Sequence, residues 1–377
     1  MPKVIVAMSG GVDSSVAAAL LQRQGFEVEG MFMKNWSPDS IQGLTDCPWE
    51  EDQADAAAVC EKLGIPFRSV NFEREYKEVV VDYFLREYEA GRTPNPDVMC
   101  NKEIKFKAFL DEAKKQGADF IATGHYVRRT EEDGRWYLQR GLDENKDQSY
   151  FLWTLTPEQI SQSLFPVGEL TKPEVRKLAE ELGLPTAKKK DSQGICFIGH
   201  IDLKKFLAEH LPVRAGEVKL VYRFEGQPFK ERLAAARLVG RHTGTVYHTI
   251  GERAGELMDN GTYRFLRNGR DVPPVYVLHK EAEKVYLTED PQDPQLSTCG
   301  VRLESWWFDN GSDKSNLTAQ SRYQQRGRVG VGEVVESNGS LIVKTAEPLW
   351  AVASGQSLVL YDGDKVVGGG IVTTIDI

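Results

Sequence analysis

Ser9-Gly10-Gly11-Val12-Asp13-Ser14 follows a short apolar run, and its residue types suit the holding of an anion. Two adjacent glycines let the backbone fold tightly with its N–H groups turned toward a bound phosphate. A helix starting behind the loop adds the partial positive charge of its N-terminus. Asp13 puts a carboxylate beside that seat, which makes chemical sense if it helps to hold a divalent cation, Mg²⁺ above all. The lysine that closes a Walker loop is missing, so γ-phosphate transfer of the kinase type is not indicated. The competing reading is a plain glycine turn with a Ser/Asp helix cap.

Five cysteines offer a second kind of chemistry, at positions 47, 60, 100, 196 and 299. Asn95-Pro96-Asp97-Val98-Met99-Cys100-Asn101 is rich in turn formers and precedes a basic segment that reads as helical from Ile104. Cys100 is thus expected near a helix N-terminus with Lys102 close by, and both features favour the nucleophilic thiolate. Asp97, beside this thiol in sequence, is the best candidate for general acid or base. Asp191-Ser192-Gln193-Gly194-Ile195-Cys196-Phe197 is a second turn carrying a cysteine, preceded by Lys188, Lys189 and Lys190. The alternative for each thiol is a small buried hydrophobe. That is the reading for Cys60, set among Ala and Val on a helical stretch, while Cys47 and Cys299 have no supporting motif. No Cys-x-x-Cys pair or Cys/His cluster occurs, which argues against a structural zinc and a disulfide scaffold. A reducing, cytoplasmic setting is expected.

The chain has 377 residues, 41% hydrophobic and 27% charged, the make-up of a globular protein long enough for two or three domains. No signal peptide is read at the N-terminus, and no apolar run reaches the roughly 20 residues of a membrane span, so no membrane partner is expected. A net charge of -9 counts against a protein that coats nucleic acid by charge alone. Local basic patches remain, at Lys102, Lys105 and Lys107, at Lys188 to Lys190, and at Arg322, Arg326 and Arg328 near Tyr323.

The elements that must position these residues alternate. Strand-like Lys3 to Met8 leads through the glycine loop to a helix over Ser14 to Gln24. Val28 to Met33 (strand), Glu51 to Leu63 (helix) and Phe67 to Phe72 (strand) follow, then helical Glu75 to Glu89 and Ile104 to Gln116, and a buried-type strand over Asp119 to Thr123. Such alternation implies an α/β fold, a parallel sheet with helices on both faces, whose ligands bind at the carboxyl ends of the strands. Thr171 and Glu174 have the spacing of a capping box, with Gly183 and Pro185 ending that helix. After about residue 210 short β-prone runs are separated by turn signals, Asp259-Asn260-Gly261, Asn268-Gly269, Asn338-Gly339 and Asp362-Gly363. Three domains are expected: 1–210, a small central one over 211–285, and a β-barrel over 286–377.

The whole Ser9 hexapeptide after a strand resembles the loop of the ATP pyrophosphatase superfamily, which cleaves ATP between the α and β phosphates to adenylate a carbonyl oxygen. A narrower resemblance rests on ordered motifs. The Ser9 loop, Asn95 to Asn101, Thr123-Gly124-His125-Tyr126, Lys146-Asp147-Gln148 and Asp191 to Phe197 occur in the order seen in bacterial tRNA-specific 2-thiouridylases. Tyr276-Val277-Leu278, Arg322-Tyr323, Gly355-Gln356 and Tyr361 to Asp364 extend the likeness over essentially the whole chain.

Residue by residue, the resemblance implies that Ala7, Met8, Ser9, Gly10, Gly11, Val12, Asp13, Ser14, Met33 and Gly124 line an ATP site, with Asp13 the metal ligand. Asn95, Pro96 and Asp97 would meet the target base. Cys100 would be the nucleophile and Cys196 the persulfide carrier, while His125, Lys146, Asp147, Gln148, Arg322, Tyr323 and Gln356 would contact tRNA. The implied activity is ATP-dependent 2-thiolation of the wobble uridine, with ATP and Mg²⁺ as cofactors and a sulfur-donor protein as partner. Sulfur would pass either by direct attack of the persulfide or as sulfide released when Cys100 attacks it, leaving a disulfide bond. Two rivals are a small-molecule synthetase sharing the ATP loop and a non-catalytic RNA-binding protein with a redox-active cysteine pair.

Overall fold

The computed structural model describes residues 1–37, 40–41, 49–190, 203–212, 214–224, 226–254, 275–281, 283–312, 314–323 and 327–376. The first apolar run is β1 (Lys3–Met8), in which Val4, Ile5 and Val6 have no exposed surface. Successive side chains leave a strand on opposite faces. Ile5 and Ala7 accordingly join one core while Val4, Val6 and Met8 join another. Burial on both faces is what a continuous apolar strand implies, and each fully buried branched side chain contributes roughly 1.5–3 kcal/mol.

Next come β2 (Glu27–Lys34), β3 (Phe67–Asn71), β4 (Phe120–Ala122), a hairpin of β5 (Val127–Glu132) and β6 (Arg135–Arg140), and the short β7 (Ser163–Leu164). The sheet runs β3-β2-β1-β4-β7, with every pairing parallel, as expected from the alternation. The chain leaves β1 toward β2 on one side and later returns as β4 on the other, so a crevice forms at the carboxyl ends of β1 and β4. Helix α1 (Val12–Arg23) buries Val16, Ala17 and Ala18, and helix α2 (Trp49–Leu63) buries Ala56, Val59 and Cys60. Gly30 lets α2 lie close on β2, since an added Cβ would strike the Cys60 sulfur.

The expected turn at Asn95–Asn101 is corrected. A helix starts at Pro96, with Asn95 as its N-cap accepting from the Val98 N–H at 3.3 Å. It continues through a π-helical stretch, Cys100–Ala108, into α-helix Phe109–Lys115. Asn at the cap and Pro at the first helical position are helix-start chemistry, and here they outweighed the turn reading. The Lys172–Glu181 helix begins with the expected capping box of Thr171 and Glu174.

Beyond residue 210 a second sheet holds β8 (Gly216–Leu220), β9 (Arg237–His242), β10 (Arg253–Ala254), β11 (Val275–Glu281) and β12 (Lys284–Thr288), ordered β10-β11-β12-β8-β9. The sequence division at 285 falls inside β12. Arg232, on a short helix Phe229–Ala234, reaches the fully buried Asp293 that follows this sheet. Then β13 (Ser297–Phe308), β14 (Leu317–Gln320), β15 (Val329–Ser337), β16 (Ser340–Trp350), β17 (Ser357–Asp362) and β18 (Lys365–Asp376) form an antiparallel barrel closed by pairing of β13 with β18. Asn338 and Gly339, at φ 50° and 76°, make the tight turn between β15 and β16, and Gly363 turns β17 into β18. The Asp259-Asn260-Gly261 and Asn268-Gly269 signals lie outside the described residues. The barrel also takes in the β5–β6 hairpin from the N-terminal half, through β6 against β18. Among the described residues no helix is long and apolar enough to cross a membrane.

Candidate active site

The glycine loop emerges from β1 at the crevice. Gly10 takes φ +71°, and an added Cβ there would run into the Asp52 backbone, so the first turn of α2 packs directly on the loop. Ser9 and Ser14 place their hydroxyl oxygens 3.2 Å apart, and the Ser14 and Ser15 hydroxyls donate to the Gly11 carbonyl at 3.1 and 2.8 Å. Gly11 is the N-cap of α1 and supplies no side chain to it. The first-turn N–H groups therefore lack a side-chain cap, as an anion seat requires. Gly124, past the end of β4, passes so close to α1 that an added Cβ would lie 2.7 Å from the Asp13 carbonyl carbon and the Ser14 nitrogen. Met33 stands near the end of β2, so these expected ATP-site residues sit at the carboxyl ends of β1, β2 and β4.

Asp13 departs from the expected role. Its Oδ1 accepts from the Tyr126 hydroxyl at 2.7 Å, and both its oxygens accept from the Lys172 ammonium at 2.8 and 2.9 Å. Lys172 is buried, and its backbone N–H donates to Asp143 at 2.9 Å. Among the described residues no group of three or more His, Cys, Asp or Glu is placed to hold a metal. A carboxylate already bonded to an ammonium and a phenol does not fit a protein-held Mg²⁺. Neither Tyr126 nor Lys172 was assigned a role from sequence, because their partner lies 113 and 159 residues away.

Cys100 lies in the Pro96 helix and is 1% exposed. Lys102, expected to assist it, turns to Glu103 at 3.6 Å and is well exposed. Asn101 donates from Nδ2 to the Phe151 carbonyl at 3.3 Å, while its buried Oδ1 has no partner. Asn95, besides capping this helix, donates a hydrogen bond to the oxygen of the buried Tyr150, and desolvation pushes that phenol far above its ordinary pKa. Asp97 is partly buried in the helix's first turn.

Cys196, within residues 191–202, lies outside the described residues, as do Cys47, within 42–48, and Arg326, within 324–326. The chain leading to Cys196 is nevertheless pinned at the glycine loop. Thr186 donates to Ser15 at 2.9 Å, Lys189 donates to Asp52 at 2.7 Å and to Asp55, and Arg176 donates to the Lys189 carbonyl at 3.0 Å.

Of the expected tRNA contacts, several face inward. Asp147 is buried and accepts from Gly141 N, Ser149 N, Ser149 Oγ and Arg140 Nε, which makes it a brace for its own loop. Gln148 accepts from the Tyr126 N–H at 2.9 Å, and Lys146 is partly buried. His125 bonds Thr123 Oγ1 at 2.8 Å, and burial followed by the charge of Lys105 holds its pKa well below the ordinary value, so the ring is neutral at pH 7. Arg322 donates to the carbonyls of Ile250 and Ala351, and Arg328 to that of Gly363. Tyr323 packs its ring 4.5 Å from that of Phe151. Gln356 donates to the Thr93 and Pro94 carbonyls at 2.7 and 3.2 Å.

Residues 2–200 match a family model described as a tRNA methyl transferase HUP domain, and residues 298–372 one described as an aminomethyltransferase beta-barrel domain. The chain is 48% identical to the tRNA-specific 2-thiouridylase MnmA of Shewanella amazonensis, over 99% of this chain and 95% of that one. It is 49% identical to the protein of that name from Escherichia coli, over 98% and 96%, and 47% identical to that of Idiomarina loihiensis, over 98% and 95%. Identity at this level along nearly the full length of both chains shows that the chain belongs to the tRNA-specific 2-thiouridylase family.

Proposed function

We propose that this protein uses ATP to adenylate the 2-oxygen of a tRNA wobble uridine and replaces that oxygen with sulfur. The observation that carries the reading is the anchoring of Lys189 to Asp52, whose backbone underlies Gly10, because it starts the Cys196 segment at the phosphate seat. The family relatives share the name for this activity.

The phosphates sit on the N–H groups of the loop and the first turn of α1, with the Lys172 ammonium held beside them by Asp13 and Tyr126. The uridine 2-oxygen attacks the α-phosphorus and pyrophosphate leaves, its growing charge met by those donors. Adenylation turns a poor leaving group into AMP. The Cys196 persulfide then supplies sulfur by one of two routes. In the first, its terminal sulfur attacks C2, expels AMP and leaves a Cys196–S–S–C2 link. A thiol, Cys100 or an added reductant, then cleaves that S–S bond at the Cys196 sulfur, which frees the 2-thiouridine and leaves a disulfide on Cys196. In the second, Cys100 attacks the Cys196 sulfur first, forms a Cys100–Cys196 disulfide and releases hydrosulfide, which expels AMP. In either route a thiol reductant must return two electrons to the disulfide that results. Asp97 serves as general acid or base, and Asn95 to Asp97 receive the base. Mg²⁺, if bound, would travel with the phosphates and neutralise their charge. A sulfur-donor protein loads Cys196, and the reducing cytoplasm keeps both thiols reduced.

Incubation with tRNA, ATP, Mg²⁺ and a sulfur donor tests this. AMP, pyrophosphate and 2-thiouridine are expected in step, and ADP as the tRNA-dependent product would overturn the reading. Intact mass and peptide mapping should place one extra sulfur on Cys196 in the Cys100→Ser protein and none in Cys196→Ser. Normal thiolation by Cys100→Ser would select direct persulfide attack.

A further inference from the structure

The segment ahead of Cys100 is held from both other domains. From the barrel, the Ser354 carbonyl accepts from Thr93 N at 2.8 Å, and Gln356 Nε2 donates to the Thr93 and Pro94 carbonyls. Gly355, at φ +91°, lies so near that an added Cβ would stand 2.9 to 3.0 Å from three Thr93 backbone atoms. From the central domain, Thr249 Oγ1 meets Thr93 Oγ1 at 3.4 Å and Lys280 Nζ donates to the Gly91 carbonyl at 3.4 Å. Two residues on, Asn95 caps the Cys100 helix and is gripped by Tyr150, whose hydroxyl also reaches the Ser321 and Ser357 carbonyls of the barrel at 3.2 and 3.0 Å. A second line runs from Tyr323 through Phe151, whose carbonyl holds Asn101.

We infer that the barrel turn at Gly355 and Gln356 is a positioning element for the Asn95 cap and the Cys100 thiol. The Gln356 amide has one hydrogen on each of two successive carbonyls, and a glycine alone lets the turn touch the strap, so the start of the Cys100 helix takes its register from the barrel. Asn95 and Cys100 are five residues apart on one helix start, and moving the strap moves both. Gln356 thus acts on the reaction through Thr93 and Pro94. The inference rests on the reading of Cys100 as the reacting thiol, yet its first test needs no activity.

Full-length Gln356→Ala, Gln356→Glu and Gly355→Ala proteins are treated with iodoacetamide without tRNA, and Cys100 labelling is followed by peptide mapping. The thiol is 1% exposed, so the wild type should label slowly, and each variant should label about fivefold faster or more as the helix start loosens. Gln356→Glu keeps length and loses the donor, so it should follow Gln356→Ala. In steady-state thiolation the Gly355→Ala kcat should fall by about tenfold with KM for tRNA within about twofold. Unchanged Cys100 labelling together with a raised KM and a constant kcat would overturn the inference and leave Gln356 a simple RNA contact. Faster labelling in variants of a protein whose wild type forms no 2-thiouridine would sustain the positioning role and sink the functional reading instead.

Discussion

The Lys172 ammonium lies 2.8 and 2.9 Å from the two carboxylate oxygens of Asp13, across 159 residues of chain. This pairing sets a cation beside the glycine loop and takes up the carboxylate expected to hold a metal. Asp13→Asn should therefore lower tRNA-dependent pyrophosphate release by about tenfold without changing the half-saturating Mg²⁺ concentration, and Lys172→Met should lower it by about a hundredfold. A Mg²⁺ titration of each variant decides the matter. A rise in the Mg²⁺ requirement of Asp13→Asn would make the carboxylate a metal ligand after all.

Gly124→Ala places a methyl group against the backbone of Asp13 and Ser14, neither of which can rotate away. The start of α1 must shift, and a misplacement of that size in a phosphate seat should weaken ATP binding by about tenfold or more. Isothermal titration with a non-hydrolysable ATP analogue measures it, and an unchanged affinity would take Gly124 out of the ATP site.

Cys60 is fully buried under Gly30, and desolvation pushes its thiol up to about 11. It should resist alkylation at pH 8 while the protein is native. Cys60→Ser should keep full thiolation activity and lose about 1–3 kcal/mol of stability, the cost of burying a hydroxyl in place of a thiol. Denaturant unfolding and a thiolation assay together test this, and a loss of activity without a loss of stability would assign the thiol a chemical role.

His248, between β9 and β10, is 7% exposed and its pKa is lowered from 6.5 to about 3, chiefly by desolvation and then by Lys204, His242 and Lys280. It is neutral in the folded protein, whereas the unfolded chain takes up a proton near pH 6.5. Its contribution to stability is thus complete above pH 6.5 and declines as pH falls toward 3, by up to about 1.4 kcal/mol per pH unit. His248→Gln should flatten the stability profile between pH 6 and 4. An unaltered slope would place the acid sensitivity elsewhere.

How much of this was legible depended on the range of the interactions. The strand, glycine loop and helix at Lys3 to Gln24 were readable because propensity, periodicity and loop chemistry agree within a short window. The Thr171 and Glu174 box is local in the same way. Asn95-Pro96 was local too, but its residues serve turns and helix starts alike, and the helix began at Pro96 rather than Ile104. The inward-facing state of Arg322 and Gln356 had no local signal, since their partners are backbone groups brought close only by folding, 72 and 29 residues away for Arg322 and 263 away for Gln356 and Thr93. Polar side chains that brace loops look the same in sequence as polar side chains that await RNA.

The β5–β6 hairpin carries a consequence for biosynthesis. Lys365, in the last strand, donates to Glu132 across 233 residues, and Arg128 reaches Asp364 across 236. A ribosome adding about 5–20 residues per second exposes the hairpin for some tens of seconds before that strand is made. During that delay β6 has an open edge. Its flanking charges, Arg128, Arg129, Glu131, Glu132, Arg135 and Arg140, suit the guarding of an edge against pairing with other nascent chains. β18 thus completes a sheet begun in the first half of the chain, so a protein cut short before it would keep its nucleotide loop and leave the β6 edge open to aggregation.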